Sequence, residues 1–310
     1  KNIIGHEFMH ILSPLHLRSE VLANVDYSRP VTEDQHVWLY EGVTEWASFA
    51  MQMKNGSVDF EEYLQYLSDK INGSKNYSDE YSLTRISEEW PTDEGKKQYG
   101  NIYQLGALTA AMLDIRLIQL SNGEIGLREL YLELIKKYGK SEPFDNETFF
   151  EELVTLTYPD IEEFIESHIK NNTPFNFEED AKVVGLKYYP KRENPDHIPS
   201  MGISIGPNSK GEGIVTSLLD EYTGSDLKAG DVIISINGIK LIDGNTYMKI
   251  MKSIKESKVG EPYEITISRN NETISLEETL GAKIDQYVFE IDPDASERAK
   301  KLRKKLMSIH

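Results

Sequence analysis

The sequence predicts an α+β chain of more than one domain, with a mainly helical part followed by a β-rich part. Three observations predict it. Apolar residues recur at intervals of three and four through residues 1 to about 185, the period of helices with one buried face. From 200 to 283 the pattern changes to short β-type runs separated by turns. Between them, residues 187–199 are rich in proline, charge and polar side chains, which is the composition of a linker. With 310 residues, the chain is long enough for two or three domains, and 39% hydrophobic against 28% charged residues is an ordinary globular balance.

The helical period is clearest in "LYEGVTEWASFAMQM", "FEEYLQYLSDKI", "YQLGALTAAMLDIRLIQL" and "IGLRELYLELIKKY". Gly123 and Gly139 read as helix stops. Asp145 and Asp160 read as N-caps, each followed by an acidic first turn. In the second part, "GISIG", "GIVTSLL", "DVIISING", "YEITISRN" and "TISLEETL" read as strands, and "NTYMKIMKSIKES" has helical spacing. The tail, 284–310, contains a short basic helix candidate in "RAKKLRKKL", expected to be a solvated cap.

Composition excludes several classes. A formal net charge of -18 argues against nucleic acid, whose phosphates require clustered Lys and Arg. No apolar run approaches the roughly 18 residues of a membrane span. With no cysteine, disulfides, thiolate ligands and cysteine nucleophiles are all unavailable to the chain. Any metal must be held by histidine and carboxylate. A periplasmic or secreted bacterial location is expected over a cytoplasmic one.

The chemistry-bearing motif is "HEFMH", residues 6–10. Residues i and i+4 share one helix face, so His6 and His10 can turn two imidazoles to one ion, with Glu7 beside its water. Two unrelated histidines on a helix are the alternative. A catalytic metal needs a third protein ligand. Glu41, in the aromatic run "HVWLYEGVTEW", is a carboxylate costly to bury without a partner. Glu41 and Glu45 as an ordinary solvated helix face remain the other reading.

HExxH followed by W-x-x-E-G-x-T resembles the gluzincin aminopeptidases, and "HEFMHILSPLHLRSE…HVWLYEGVTEW" is most similar to the glycyl aminopeptidase family. The resemblance implies a thermolysin-like catalytic domain over 1–186, with Zn2+ held by His6, His10 and Glu41 and with Glu7 as general base. It also implies that Tyr103, in "YGNIYQLG", polarises the scissile carbonyl. Leu105 stands where the family has lysine, Tyr99 is a second candidate, and a core tyrosine is the alternative. The sheet that precedes the HExxH helix in that fold is not in this sequence, so the chain is expected to be the C-terminal part of a longer protein.

"GSDLKAGDVIISINGIKL" resembles bacterial PDZ domains, which follow the catalytic domain in this family. That implies a PDZ domain over 200–283, whose loop at Met201, Gly202 and Ile203 would receive a peptide C-terminus. The expected function is zinc-dependent hydrolysis of peptides or proteins, as an aminopeptidase removing small N-terminal residues such as Gly or Ala. A zinc endopeptidase, or a PDZ peptide-binding module with an idle metal site, are the alternatives.

Overall fold

The computed structural model describes residues 2–26, 34–139, 142–219 and 225–308. It is a mixture of helix and sheet in two compact units, one of Lys1–Pro190 with Gln286–His310 and the other of Lys191–Asp285. Among the described residues, no helix is long and apolar enough to cross a membrane.

The first unit is built mainly of helices, and its local sequence explains where they start and stop. Helix Phe60–Ser74 opens on a capping box: Glu62 N–H donates to Asp59 Oδ1 at 2.7 Å, and Asp59 N–H donates to Glu62 Oε2 at 3.1 Å. It buries Phe60, Tyr63, Leu64, Leu67 and Ile71, the three-four stripe visible in the sequence. Helix Leu127–Tyr138 ends at Gly139, whose φ of 58° lies in the left-handed region. Helix Ala107–Leu120 is apolar on nearly every side and runs through the middle of the core.

Two long helical patterns are not uniform helices. Trp38–Val43 is a π-helical turn running straight into helix Thr44–Lys54, and Ile102–Gly106 is a second one running into Ala107–Leu120. Such turns insert an extra residue and recur at functional sites. Asp145 is not the expected N-cap. Its Oδ1 accepts from the N–H groups of Glu147 and Thr148 at 3.1 and 2.9 Å, closing a turn ahead of helix Phe149–Leu156. Asp160 is the first residue of helix Asp160–Ile165 rather than its cap.

The strands among the described residues are β1 (Leu186–Glu193), β2 (Pro199–Ser200), β3 (Ile203–Pro207), β4 (Gly213–Leu218), β5 (Val232–Ile236), β6 (Ile239–Lys240), β7 (Pro262–Arg269), β8 (Glu272–Thr279), β9 (Gly281–Ala282) and β10 (Ile284–Ile291). The stretch 187–199, expected as a linker, is therefore largely strand. β1 pairs with β10 and β2 with β9, each as a two-stranded ribbon. A two-stranded ribbon is all edge, so Pro190 and Pro199 can omit an N–H without breaking a central ladder. The tail is also not a solvated cap. Helix Glu297–Met307 starts at Ser296 and buries Ala299, Leu302 and Leu306 in the first unit. Lys54 Nζ donates to the Leu306 carbonyl at 2.7 Å, and Lys305 pairs with Glu129 at 3.3 Å. Its basic side chains surround an apolar stripe at i, i+3 and i+7, which composition alone does not reveal.

The second unit is an antiparallel sheet in the order β3-β4-β5-β7-β8, with β6 on β5 and helix Gly244–Glu256 between β6 and β7. Val215, Ile233, Ile236, Ile250, Ile254, Ile265 and Ile267 fill its core. Asn237 and Gly238 turn β5 into β6 with φ of 47° and 74°, the sign a two-residue hairpin turn needs at both positions. Asp231, immediately before β5, is 2% exposed and accepts from Arg269 Nε and Nη2 at 2.7 Å each.

Arg269 holds the Asp231 carboxyl below its ordinary value of 3.8 despite burial. A carboxyl depressed in the folded state stabilises it fully above 3.8, and that contribution is lost as the pH falls below this value. Asp231→Asn is accordingly expected to speed amide exchange in Val232–Ile236 and Pro262–Arg269 on the order of tenfold or more at neutral pH, the difference shrinking as acid protonates the parent's Asp231. Equal exchange in variant and parent at neutral pH would remove the ion pair from the account of this unit.

Candidate metal centre

Helix Asn2–Met9 carries His6, and His10 lies in the turn just beyond its end. One side of the helix packs on helix Thr44–Lys54. The other exposes Ile3, Ile4, Phe8 and Glu7. Glu41 comes from the π-helical turn Trp38–Val43, which is buried except at Glu41 itself. That turn is anchored one residue earlier, where the Tyr40 hydroxyl donates to Asp34 Oδ2 at 3.1 Å and accepts from Ser19 N–H at 3.0 Å. The π turn thus fixes Glu41 in the direction of the histidines.

His6 Nε2 is 3.2 Å from Glu41 Oε2, and His10 Nε2 is 3.6 Å from the same oxygen. Metal–ligand bonds of 2.0–2.2 Å in a tetrahedron place ligand atoms about 3.3–3.6 Å apart, so the spacing fits a small divalent cation. Among the described residues, His6, His10 and Glu41 form a group able to hold a metal ion. The far side of each ring is tied down. His10 Nδ1 is 2.9 Å from the Ser13 carbonyl, which can only accept, so Nδ1 carries the proton and Nε2 is left to a metal. His6 Nδ1 likewise donates to Glu45 Oε2 at 2.9 Å. Lys70 Nζ holds the other oxygen of Glu45 at 2.7 Å.

The electrostatics follow from these contacts. The hydrogen bonds to Glu41 and then Glu45 push the His6 imidazole up to about 9. Burial alone would raise Glu41, but His6, His10 and Tyr103 together outweigh it and hold the carboxyl below its ordinary value. Glu45 is held down in the same way by His6 and Lys70 against its burial. Tyr103 sits on the π-helical turn Ile102–Gly106, its ring centroid 5.6 Å from that of His6, with its hydroxyl on the Glu41 carboxylate. Burial, then the charge of Glu41, raises Tyr103 well above the ordinary phenol range, so it stays a proton donor. Tyr99 lies behind it, ring to ring at 5.9 Å.

The structure thus brings His6, His10, Glu41 and Tyr103 together. Glu7 is on the adjoining exposed face of the same helix, and no hydrogen bond or ion pair engages it among the described residues. Leu105 is partly buried and packs against the core. Two site residues were not identified from sequence. Glu45 was legible only as the i+4 neighbour of Glu41, and Lys70 carried no signal, because its role depends on how helix Phe60–Ser74 docks. The residues expected to receive a peptide C-terminus are in the second unit: Met201 is buried, Gly202 has φ of 67° with its N–H on Ser200 Oγ at 3.1 Å, and Ile203 starts β3.

Comparison with known proteins is consistent with this geometry. Residues 1–108 match the model of the M61 glycyl aminopeptidase family. No curated protein matches the chain. The fold is similar to the crystal structure of an aminopeptidase N family protein from Idiomarina loihiensis, at 20% identity and a TM-score of 0.68 over 98% of this chain. The chain spans about half of that structure, 54% of its length. The HtrA-type protease AlgW with a decapeptide (17% identity, 28% of this chain and 30% of that one, TM-score 0.25) and the photosystem II D1 C-terminal processing protease (11%, 55% and 43%, 0.24) agree too loosely to support a conclusion.

Proposed function

We propose, on the premise that residues 1–108 belong to the M61 glycyl aminopeptidase family, that this chain carries the metal centre of a zinc aminopeptidase acting on peptides with small N-terminal residues. The observation that carries it is the convergence of His6 Nε2 and His10 Nε2 on Glu41 Oε2, a two-histidine, one-carboxylate donor set. Held by His6, His10 and Glu41, a zinc ion would supply an acidic water and polarise a carbonyl. Glu7, free on the exposed face, takes a proton from the attacking water and returns it to the leaving amine. Tyr103, kept protonated, donates to the carbonyl oxygen as negative charge grows there.

The second unit is read as a PDZ-type module, one that takes a peptide C-terminus at Met201, Gly202 and Ile203. Supporting it, β3 lies at the end of the sheet order, where an added strand can pair. One peptide set tests both readings on the zinc-loaded chain. Peptides beginning with free Gly or Ala are expected to be cleaved and their N-acetylated forms left intact. Equal cleavage of both would make the chain an endopeptidase, and cleavage of neither would end the peptidase reading for it. Binding without cleavage that depends on a free C-terminal carboxylate would identify the second unit as the working part.

A further inference from the structure

We propose that Lys70 is a positioning residue for the metal centre, acting through Glu45 to fix the His6 ring and so set how tightly the site holds its ion. The proposal rests on the metal-site reading above. Three helices contribute one residue each: Lys70 from Phe60–Ser74, Glu45 from Thr44–Lys54 and His6 from Asn2–Met9. Glu45 divides its two oxygens between the others, Oε1 to Lys70 Nζ at 2.7 Å and Oε2 to His6 Nδ1 at 2.9 Å.

Lys70 is itself held. It is 7% exposed, and its ammonium lies over the Tyr66 ring, 5.0 Å from the centroid. Tyr66 stacks on Phe49 at 4.4 Å and 7°, and its hydroxyl donates to the Glu45 backbone carbonyl at 3.2 Å. A buried lysine pinned at both ends of its reach is a fixed point for the carboxylate. Without it, the Glu45 side chain, 15% exposed, can turn to water. The His6 ring then loses the acceptor that directs Nε2 toward Glu41, and ordering that ring becomes a cost of binding the ion.

Zinc affinity of the full chain, measured by competition with a chelating dye, separates this role from its rivals. Lys70→Met is expected to weaken zinc about 10- to 100-fold, while Lys70→Arg, which keeps a cation, stays near the parent. Glu45→Gln should lose a similar factor, and the double variant little more than either single, because the two act in series. A lysine that acted only as a nearby positive charge would repel the ion, so its removal would tighten binding. If the lysine only stabilised the fold, its removal would lower the melting point of the metal-free chain and leave affinity unchanged.

Either of those results would overturn the proposal while leaving the metal site standing. A parent chain that binds no zinc would overturn both. Should Lys70→Met not fold, Lys70→Gln carries the same comparison.

Discussion

Glu41→Ala is expected to lose the metal altogether, whereas Glu7→Gln keeps the metal and loses turnover. Among the described residues, Glu41 Oε2 is the one carboxylate oxygen that faces both Nε2 atoms, at 3.2 and 3.6 Å. Glu45 cannot replace it, because it lies on the opposite side of the His6 ring, at Nδ1, and is tied to Lys70. Two histidines without a third ligand hold a divalent ion poorly. Elemental mass spectrometry should find about one zinc per chain in the parent and essentially none in the Glu41→Ala chain.

Glu7 is different in kind. It is exposed and bonded to nothing among the described residues, so glutamine there changes neither packing nor ligand geometry. It removes only the capacity to accept a proton, and cleavage should fall by about 100- to 10,000-fold with zinc content unchanged. Full zinc in Glu41→Ala would sink the three-ligand centre. Undiminished cleavage in Glu7→Gln would leave the centre intact and assign the base to another group.

What the sequence made legible divides along physical lines. His6 and His10 were visible because i and i+4 share a helix face whatever the tertiary structure does. Glu41 was visible as a carboxylate set among aromatic residues that want burial. Lys70 was not, since a lysine on an amphipathic helix reads as solvated until the docking of that helix is known. The strands of the second unit could be read from alternation and turn residues, but β1 could not. Its proline and charges describe a linker unless the partner strand, nearly a hundred residues later, is in view. The last helix was hidden by its lysines and arginines, which surround the three positions that reach the core. Sequence reasoning reached what local period fixes, and missed what depends on a distant partner.

Gly42→Ala is also expected to have a large effect, and it acts on fold and site together. The two π-helical turns, Trp38–Val43 and Ile102–Gly106, pack against each other and carry Glu41 and Tyr103 respectively. They cross at Gly42 and Gly106. A Cβ on Gly42 would lie 2.8 Å from Gly106 Cα, 2.9 Å from Gly106 C and 3.1 Å from the Ile102 carbonyl oxygen. All three are backbone atoms, so no side chain can swing aside and the helices themselves must separate.

Overpacking of this kind costs about 1–3 kcal/mol, and more where the backbone cannot yield. The separation also draws Tyr103 away from Glu41, since each stands next to or near the crossing. Gly42→Ala should therefore melt at lower temperature, and the protein that remains folded should cleave more slowly than its zinc content explains. Alanine at a solvent-facing glycine such as Gly244, where an added Cβ meets nothing within 4 Å, supplies a control for substitution itself. A Gly42→Ala chain with parental melting point and cleavage rate would mean that the two turns do not need their close crossing to hold the site.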